Sequence, residues 1–426
     1  MSRLEWTLII VATLAIGHVQ VQADEDRIEA LEARIEQLES AGGPGIPLHL
    51  SWHNGPRMRS DDGSIQFNLS GRVQYDFAGF DADSELSEVA EFDSGTQFRR
   101  GRIALGGVMH EHTIFNVEYE FAGGDAKFLT TFIGVRNIPF LGTVRVGRLL
   151  EFYSLEQLSS NNFHTFMERG LSAAFNNYWA NGIGIHNSVF EGRGSWAVGA
   201  AKRTDNYGNS QAGRGENLSA RITAAPVYLD NGRTWVHLGA ATIQRNPDDN
   251  EYRVGSRPES SIAPTLISTG PVPSDRVNLV GLEFAAAHGP FSVQAEWHNA
   301  RVSLEATDEF PHDGHANLNG FYVLASYFLT GETRSYNPAT GTLGIIRPNH
   351  NFRGDGHGLG AWEIAARYSE LDLNDGPVEG GHLRNGTLGL NWYLNPTMRV
   401  MANYVRADLK ESGTADILQM RAQFTF

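Results

Sequence analysis

Arginine at alternating positions is the chemistry that stands out in this chain. Between Gln97 and Leu105, Ile103 and Leu105 share one face of an extended segment, which leaves Arg100 and Arg102 on the other. Arg99 has the parity of the apolar face, but at the mouth of the segment it can reach an interface or a loop. Arg145, Arg221, Arg367, Arg399 and Arg421 fall on the polar faces of comparable segments. A guanidinium offers a rigid fork of donors that fits an oxyanion bidentately. Rows of arginine along a pore wall therefore attract anions, and low-dielectric walls focus that field. The same arginines can instead pair with Glu118, Glu120, Glu283, Glu296 and Glu363 and brace the wall. Lys127, Lys202 and Lys410 are the only lysines, so the cationic chemistry is almost wholly that of arginine.

Other chemistries find no support. His110-Glu111-His112 lacks the i, i+4 spacing of a zinc-binding helix and sits at a turn, so no metal site is expected there. The glycines of Gly354–Gly360 alternate without dinucleotide-binding spacing or a βαβ context. No G-x-S-x-G occurs, and the acidic residues form no recognisable catalytic pair. The chain has no cysteine, which excludes disulfides and thiolate metal sites. A formal net charge of −15 argues against nucleic-acid binding.

The elements that must carry the arginines are strands. In Thr113–Phe121, Phe115, Val117, Tyr119 and Phe121 oppose Asn116, Glu118 and Glu120. Trp362, Ile364, Ala366 and Tyr368 likewise oppose Glu363, Ala365, Arg367 and Ser369. From residue 65 to residue 426 about sixteen such segments follow one another, with short and long connections in alternation. Short connections are expected near His110–His112, Ile138–Gly142, Glu191–Gly194, Ala225–Arg233, His288–Pro290 and Asn395–Pro396. Long ones are expected near Asp81–Gly95, Thr204–Gly215, Arg245–Asp275, Glu305–Asn317 and Asp372–His382. This is the pattern of an all-β, transmembrane antiparallel β-barrel, whose closure removes the strand edges that lipid cannot satisfy. A soluble all-β protein shows the same alternation, but export and a last strand ending in Phe426, a mark for barrel-assembly machinery, favour the membrane.

Residues 1–23 read as a secretory signal: Arg3, an apolar run from Leu8 to Ile16, and Val21-Gln22-Ala23 before the cut. Residues 24–40 read as a short coiled-coil helix, with Ile28, Leu31, Ile35 and Leu38 on one seam. That helix is too short to stand alone and points to partner chains, or to a tether between barrel and cell wall. Residues 41–64 read as a linker, opened by Ala41-Gly-Gly-Pro-Gly-Ile-Pro47.

Two connections break the rhythm. Residues 149–181 are too long for a turn and carry Phe152, Tyr153, Phe163 and Phe166 beside Gln157, Asn161, Asn162, His164, Glu168 and Arg169. So many aromatics argue for a folded loop with a function. Thr330–His357 is long although it falls on the short-turn side, so either the strand count slips there or the segment folds under or into the pore.

Specific stretches carry a resemblance: Phe98-Arg-Arg-Gly-Arg102, Arg145-Val-Gly-Arg148, Leu155-Glu-Gln-Leu-Ser-Ser160, Thr165-Phe-Met-Glu-Arg169, Tyr327-Phe-Leu-Thr-Gly-Glu332, Gly360–Ser369 and Thr387–Pro396. In order and spacing the chain resembles the phosphate-selective porin O and P family of Gram-negative outer membranes. The resemblance implies a usually trimeric barrel of about sixteen strands whose third extracellular loop, here 149–181, folds into the pore. In phosphate-binding members, arginines of the Phe-Arg-Arg strand and lysines of that loop clasp the anion; Arg99 and Arg100 match the strand pair. Gln157 and Asn162 stand where the loop lysines would be, and a neutral amide lacks the charge-assisted part of the bond. A broader anion or small hydrophilic solute channel is therefore expected, working by passive diffusion with no covalent step and no cofactor. Arg99, Arg100, Arg102, Arg145, Arg148, Gln157, Asn162, His164, Glu168 and Arg169 are the candidate pore residues.

Overall fold

The computed structural model describes residues 46–52, 55–176, 179–209, 215–307 and 313–426. The expected signal (1–23) and coiled-coil helix (24–40) lie outside these residues. Within the stretch expected as a linker, Leu48–Trp52 and Pro56–Ser60 are short strands.

Alternation of apolar and polar side chains makes each following segment a strand with one face for each environment. Eight come from the first half: β1 (Gln66–Ala82), β2 (Gly95–Met109), β3 (Thr113–Glu120), β4 (Thr131–Ile138), β5 (Gly142–Leu150), β6 (Trp179–Val189), β7 (Gly194–Arg203) and β8 (Glu216–Leu229). Eight more complete the wall: β9 (Thr234–Arg245), β10 (Arg276–His288), β11 (Phe291–Leu304), β12 (Gly314–Phe328), β13 (Ala361–Asp375), β14 (Val378–Asn395), β15 (Met398–Leu409) and β16 (Gly413–Thr425). Each pairs antiparallel with the next, and β16 pairs with β1 from Ala415↔Ala82 to Thr425↔Arg72. The sheet is thus a closed barrel of sixteen strands. Phe426 extends the seam by exchanging backbone hydrogen bonds with Gly71, at 2.7 and 3.1 Å.

The outward face is apolar. Phe77, Ile103, Ile133, Leu388 and Leu418 all stand exposed on it, as a lipid-facing band requires. Aromatic pairs stand on the same face: Trp362 stacks on Trp392 at 5.1 Å, and Phe321 meets Tyr368 at 5.9 Å. Charges sit on the inward face, buried among one another.

Most connections follow the expected alternation; on the long-loop side β15 and β16 are joined by only residues 410–412, and one expected long loop is corrected. Asp372–His382 is no long loop: β13 and β14 continue to Asp375 and Val378, leaving a two-residue turn, with the register shifted between Asp372 and Asn374. Polar residues in that stretch mask the pairing, because the strand ends stand clear of lipid and alternation fades there. Thr330–His357 does lie on the short-turn side, joining β12 to β13, so the strand count holds.

Three connections fold into the bore. Residues 151–176 cross it from β5 to the opposite wall. Residues 246–275 dip in from the same end, and the buried part of 329–360 enters from the other. In this last segment Trp235 Nε1 donates to the Arg334 carbonyl (2.9 Å), and Arg221 Nη2 donates to that of Gly341 (2.8 Å). The Tyr336 hydroxyl meets His237 Nδ1 at 2.7 Å. This segment touches the crossing loop where the Leu343 amide donates to Ser159 Oγ at 2.9 Å.

Candidate functional site: the arginine-lined constriction

The crossing loop starts with a helical turn, Leu155–Leu158, whose first amides lack intrahelical partners. Ser154 Oγ accepts from the Gln157 amide, while the Glu296 carboxylate of β11 accepts from Leu155 N (2.8 Å) and Glu156 N (2.9 Å). Glu296 was a candidate arginine partner; it caps the loop instead. Further along, β13–β16 hold the loop's carbonyls. Arg399 donates to His164 O (2.7 Å), Asn391 to Thr165 O (2.8 Å) and Arg367 to Glu168 O (3.0 Å). Arg367 also lies over the Phe166 ring at 4.4 Å. The loop is therefore fastened at both walls and narrows the bore.

Between this loop and the β1–β3 wall lies a cavity of 810 Å³. Six arginines line it (Arg72, Arg99, Arg100, Arg102, Arg169 and Arg257) against three glutamates, Glu118, Glu168 and Glu259. The wall pair is placed by a β-bulge. Gln74 pairs with Arg100 but Tyr75 with Phe98, so Arg99 is the extra residue and turns inward beside Arg100. Strict alternation assigns it to the outer face; the bulge corrects that.

Both arginines meet Glu168. Arg99 grips its carboxylate with Nε at 2.9 Å and Nη2 at 3.0 Å, Arg421 adds a bond of 2.8 Å, and Arg100 stands 3.9 Å away. Burial alone would raise the Glu168 pKa, but the guanidiniums of Arg99, Arg100 and Arg421 hold it well below the usual carboxylate range. Nearby, Arg102 pairs with Glu120 (2.6 Å) and Arg72 with Glu118 (3.4 Å). Arg221 with Glu283 (2.7 Å) and Arg334 with Glu363 also brace the wall.

Two cations in the cavity differ. Arg169 donates only a long bond to the Glu156 carbonyl (3.4 Å), and Arg257 reaches the Ser261 carbonyl; neither forms an ion pair among the described residues. Burial raises the Glu156 carboxyl to about 7, against the pull of Arg367.

The other candidates separate. Gln157 lines the cavity, whereas Asn162 does not: its carbonyl accepts from Gln423 of β16. His164 is buried against the carbonyls of Glu156 and Ser159, and burial keeps its pKa well below the ordinary value. Arg148 donates to Phe128 O (2.9 Å) and to Thr204, away from the cavity. Arg145 lies on the lumen wall below the loop. Arg72 is absent from the sequence candidates, although its place beside Gln74 and Asp76 on one strand face carried the signal. Arg257 and Glu259 sit in an irregular loop and carry no such signal.

Solved outer-membrane proteins share this architecture. The channel DcaP of Acinetobacter baumannii aligns with a TM-score of 0.55 at 11% identity, over 86% of this chain and 99% of that one. An anion-selective porin from Comamonas acidovorans aligns at 0.52 and 16% identity, over 85% and 100%. The protein has the fold of an outer-membrane porin. Residues 67–426 match the phosphate-selective porin O and P family, and the chain belongs to it. Porin O of Pseudomonas aeruginosa is 25% identical, over 85% of this chain and 87% of its own length. An uncharacterized protein of Caulobacter vibrioides is 28% identical, over 92% and 83%.

Proposed function

We propose that this outer-membrane channel passes small anions and other hydrophilic solutes by passive diffusion, with Arg169 and Arg257 setting an anion preference at the constriction. The observation that carries the reading is the charge imbalance of the cavity, six arginines against three glutamates, with two arginines outside any ion pair among the described residues. The Arg99–Arg100 pair contributes less field than its sequence suggests, because Glu168 neutralises part of it. This favours broad anion preference over tight phosphate capture, as does the amide Gln157 in the cavity. Family membership supports a trimer, an exported precursor and outside-to-periplasm passage from the long-loop end.

Reversal potential in a planar bilayer under a KCl gradient tests the reading. An anion-selective potential that Arg169→Gln moves towards zero supports it. A cation-selective potential, or one indifferent to Arg169, overturns it. Block by phosphate at low concentration would instead restore phosphate capture.

A further inference from the structure

Below the constriction, the wall of four consecutive strands, β4 to β7, contains no Asp or Glu, in a chain whose net charge is −15. Its inward face holds Arg145, which makes no ion pair among the described residues. The guanidinium lies 5.2 Å from the centre of the Phe132 ring and 5.7 Å from that of Phe152. Both neighbouring strands place glycine opposite Arg145: Gly134 on β4 and Gly184 on β6. A Cβ at Gly134 would come 3.1 Å from Arg145 Cγ, and one at Gly184 would come 3.1 Å from the Phe152 ring. Phe152, the second residue of the crossing loop, thus folds back onto the wall and roofs the arginine. His186 completes the alcove, its ring 6.3 Å from that of Phe152.

The alcove faces the water path. The in-folded segment 329–360 covers the adjoining wall, β8 to β10, and buries Arg221, His237 and Glu283, whereas Phe132, Arg145, His186 and Ala197 stay partly exposed. A cation between two aromatic rings, with no carboxylate on its wall, suits a particular solute. Inorganic phosphate needs several donors and gains nothing from ring faces. An organic carboxylate with an apolar or aromatic body uses both the charge and the rings.

We propose that Arg145, Phe132 and Phe152 form a second binding station, on the short-turn side of the constriction, for organic carboxylates carrying an apolar body. The station rests on the channel reading above and narrows the solute class that the pore favours. The guanidinium takes the carboxylate, the two rings take the body, and His186 supplies a further polar contact.

Benzoate is the probe, with acetate as the carboxylate lacking a ring. Two readouts are needed: calorimetric titration of the full-length protein in detergent, and block of KCl current in planar bilayers. Benzoate should bind and block at concentrations at least about tenfold below acetate, and Arg145→Gln should weaken benzoate about tenfold while moving phosphate less than about twofold. Phe132→Leu, which keeps the fold and the charge, should weaken benzoate but not acetate. Equal action of benzoate and acetate overturns the station, as does a benzoate response indifferent to Arg145. Conducting channels without benzoate binding sink the station alone. Benzoate binding without any channel sinks the diffusion reading alone.

Discussion

Glu168 is the residue on which the constriction's charge turns, since one carboxylate meets Arg99 and Arg421 directly and Arg100 at 3.9 Å. Glu168→Gln keeps a hydrogen-bond acceptor in the same volume and removes the charge. The anion-to-cation permeability ratio should then rise by roughly twofold to tenfold, read from reversal potential at fixed salt. A fall in that ratio would mean the three guanidiniums face away from the permeating ion. Glu156 offers a titration at the same site. Its carboxyl titrates at about 7, so it is charged at pH 8 and neutral at pH 6. Lowering the pH removes a negative charge beside Arg169 and Arg367, and anion preference should rise by roughly twofold. Glu156→Gln should flatten that dependence. For stability the sign is opposite to that of a salt-bridged acid. Between 4.5 and about 7 the folded state holds the extra proton, so raising the pH through that window destabilises the fold.

Elements set how well those residues are held. The helical turn at the start of the crossing loop depends on a carboxylate from another strand, since Glu296 accepts from Leu155 and Glu156. Glu296→Ala leaves two buried amides without acceptors and should cost the loop about 1–3 kcal/mol. Faster hydrogen exchange at those two amides, with strand amides unchanged, is the expected result. The bulge in β2 is as consequential, because it turns two consecutive arginines to one side of a sheet that otherwise alternates. The in-folded segment of 329–360 is held by Arg334, Tyr336 and Gly341 against β9, β8 and β13. Removing residues 335–345 should raise unitary conductance at least about twofold, if bore area sets the current.

At the scale of the whole molecule, closure makes the interior a defined space. Gly71 allows it: a Cβ there would come 2.5 Å from Phe426 Cζ at the seam. Gly71→Val should therefore lower the temperature at which the folded barrel is lost in detergent, seen as a shift in heat-modified electrophoretic mobility. The strands, their order and most connections were legible because each side chain answers a local question, lipid or lumen, with a period of two. Glu118, Glu120, Glu283 and Glu363 were legible as wall partners for the same reason. The roles of Glu168, Glu296 and Glu259 were not, because each acts on a partner far along the chain, and which carboxylate meets which guanidinium depends on how the loops enter the bore. The amino-acid pattern by itself determined a barrel with arginine on its inner face and an aromatic loop too long to be a turn. Only the tertiary structure decided which arginines stay outside ion pairs, since charge cancellation depends on distances between segments that sequence spacing does not encode.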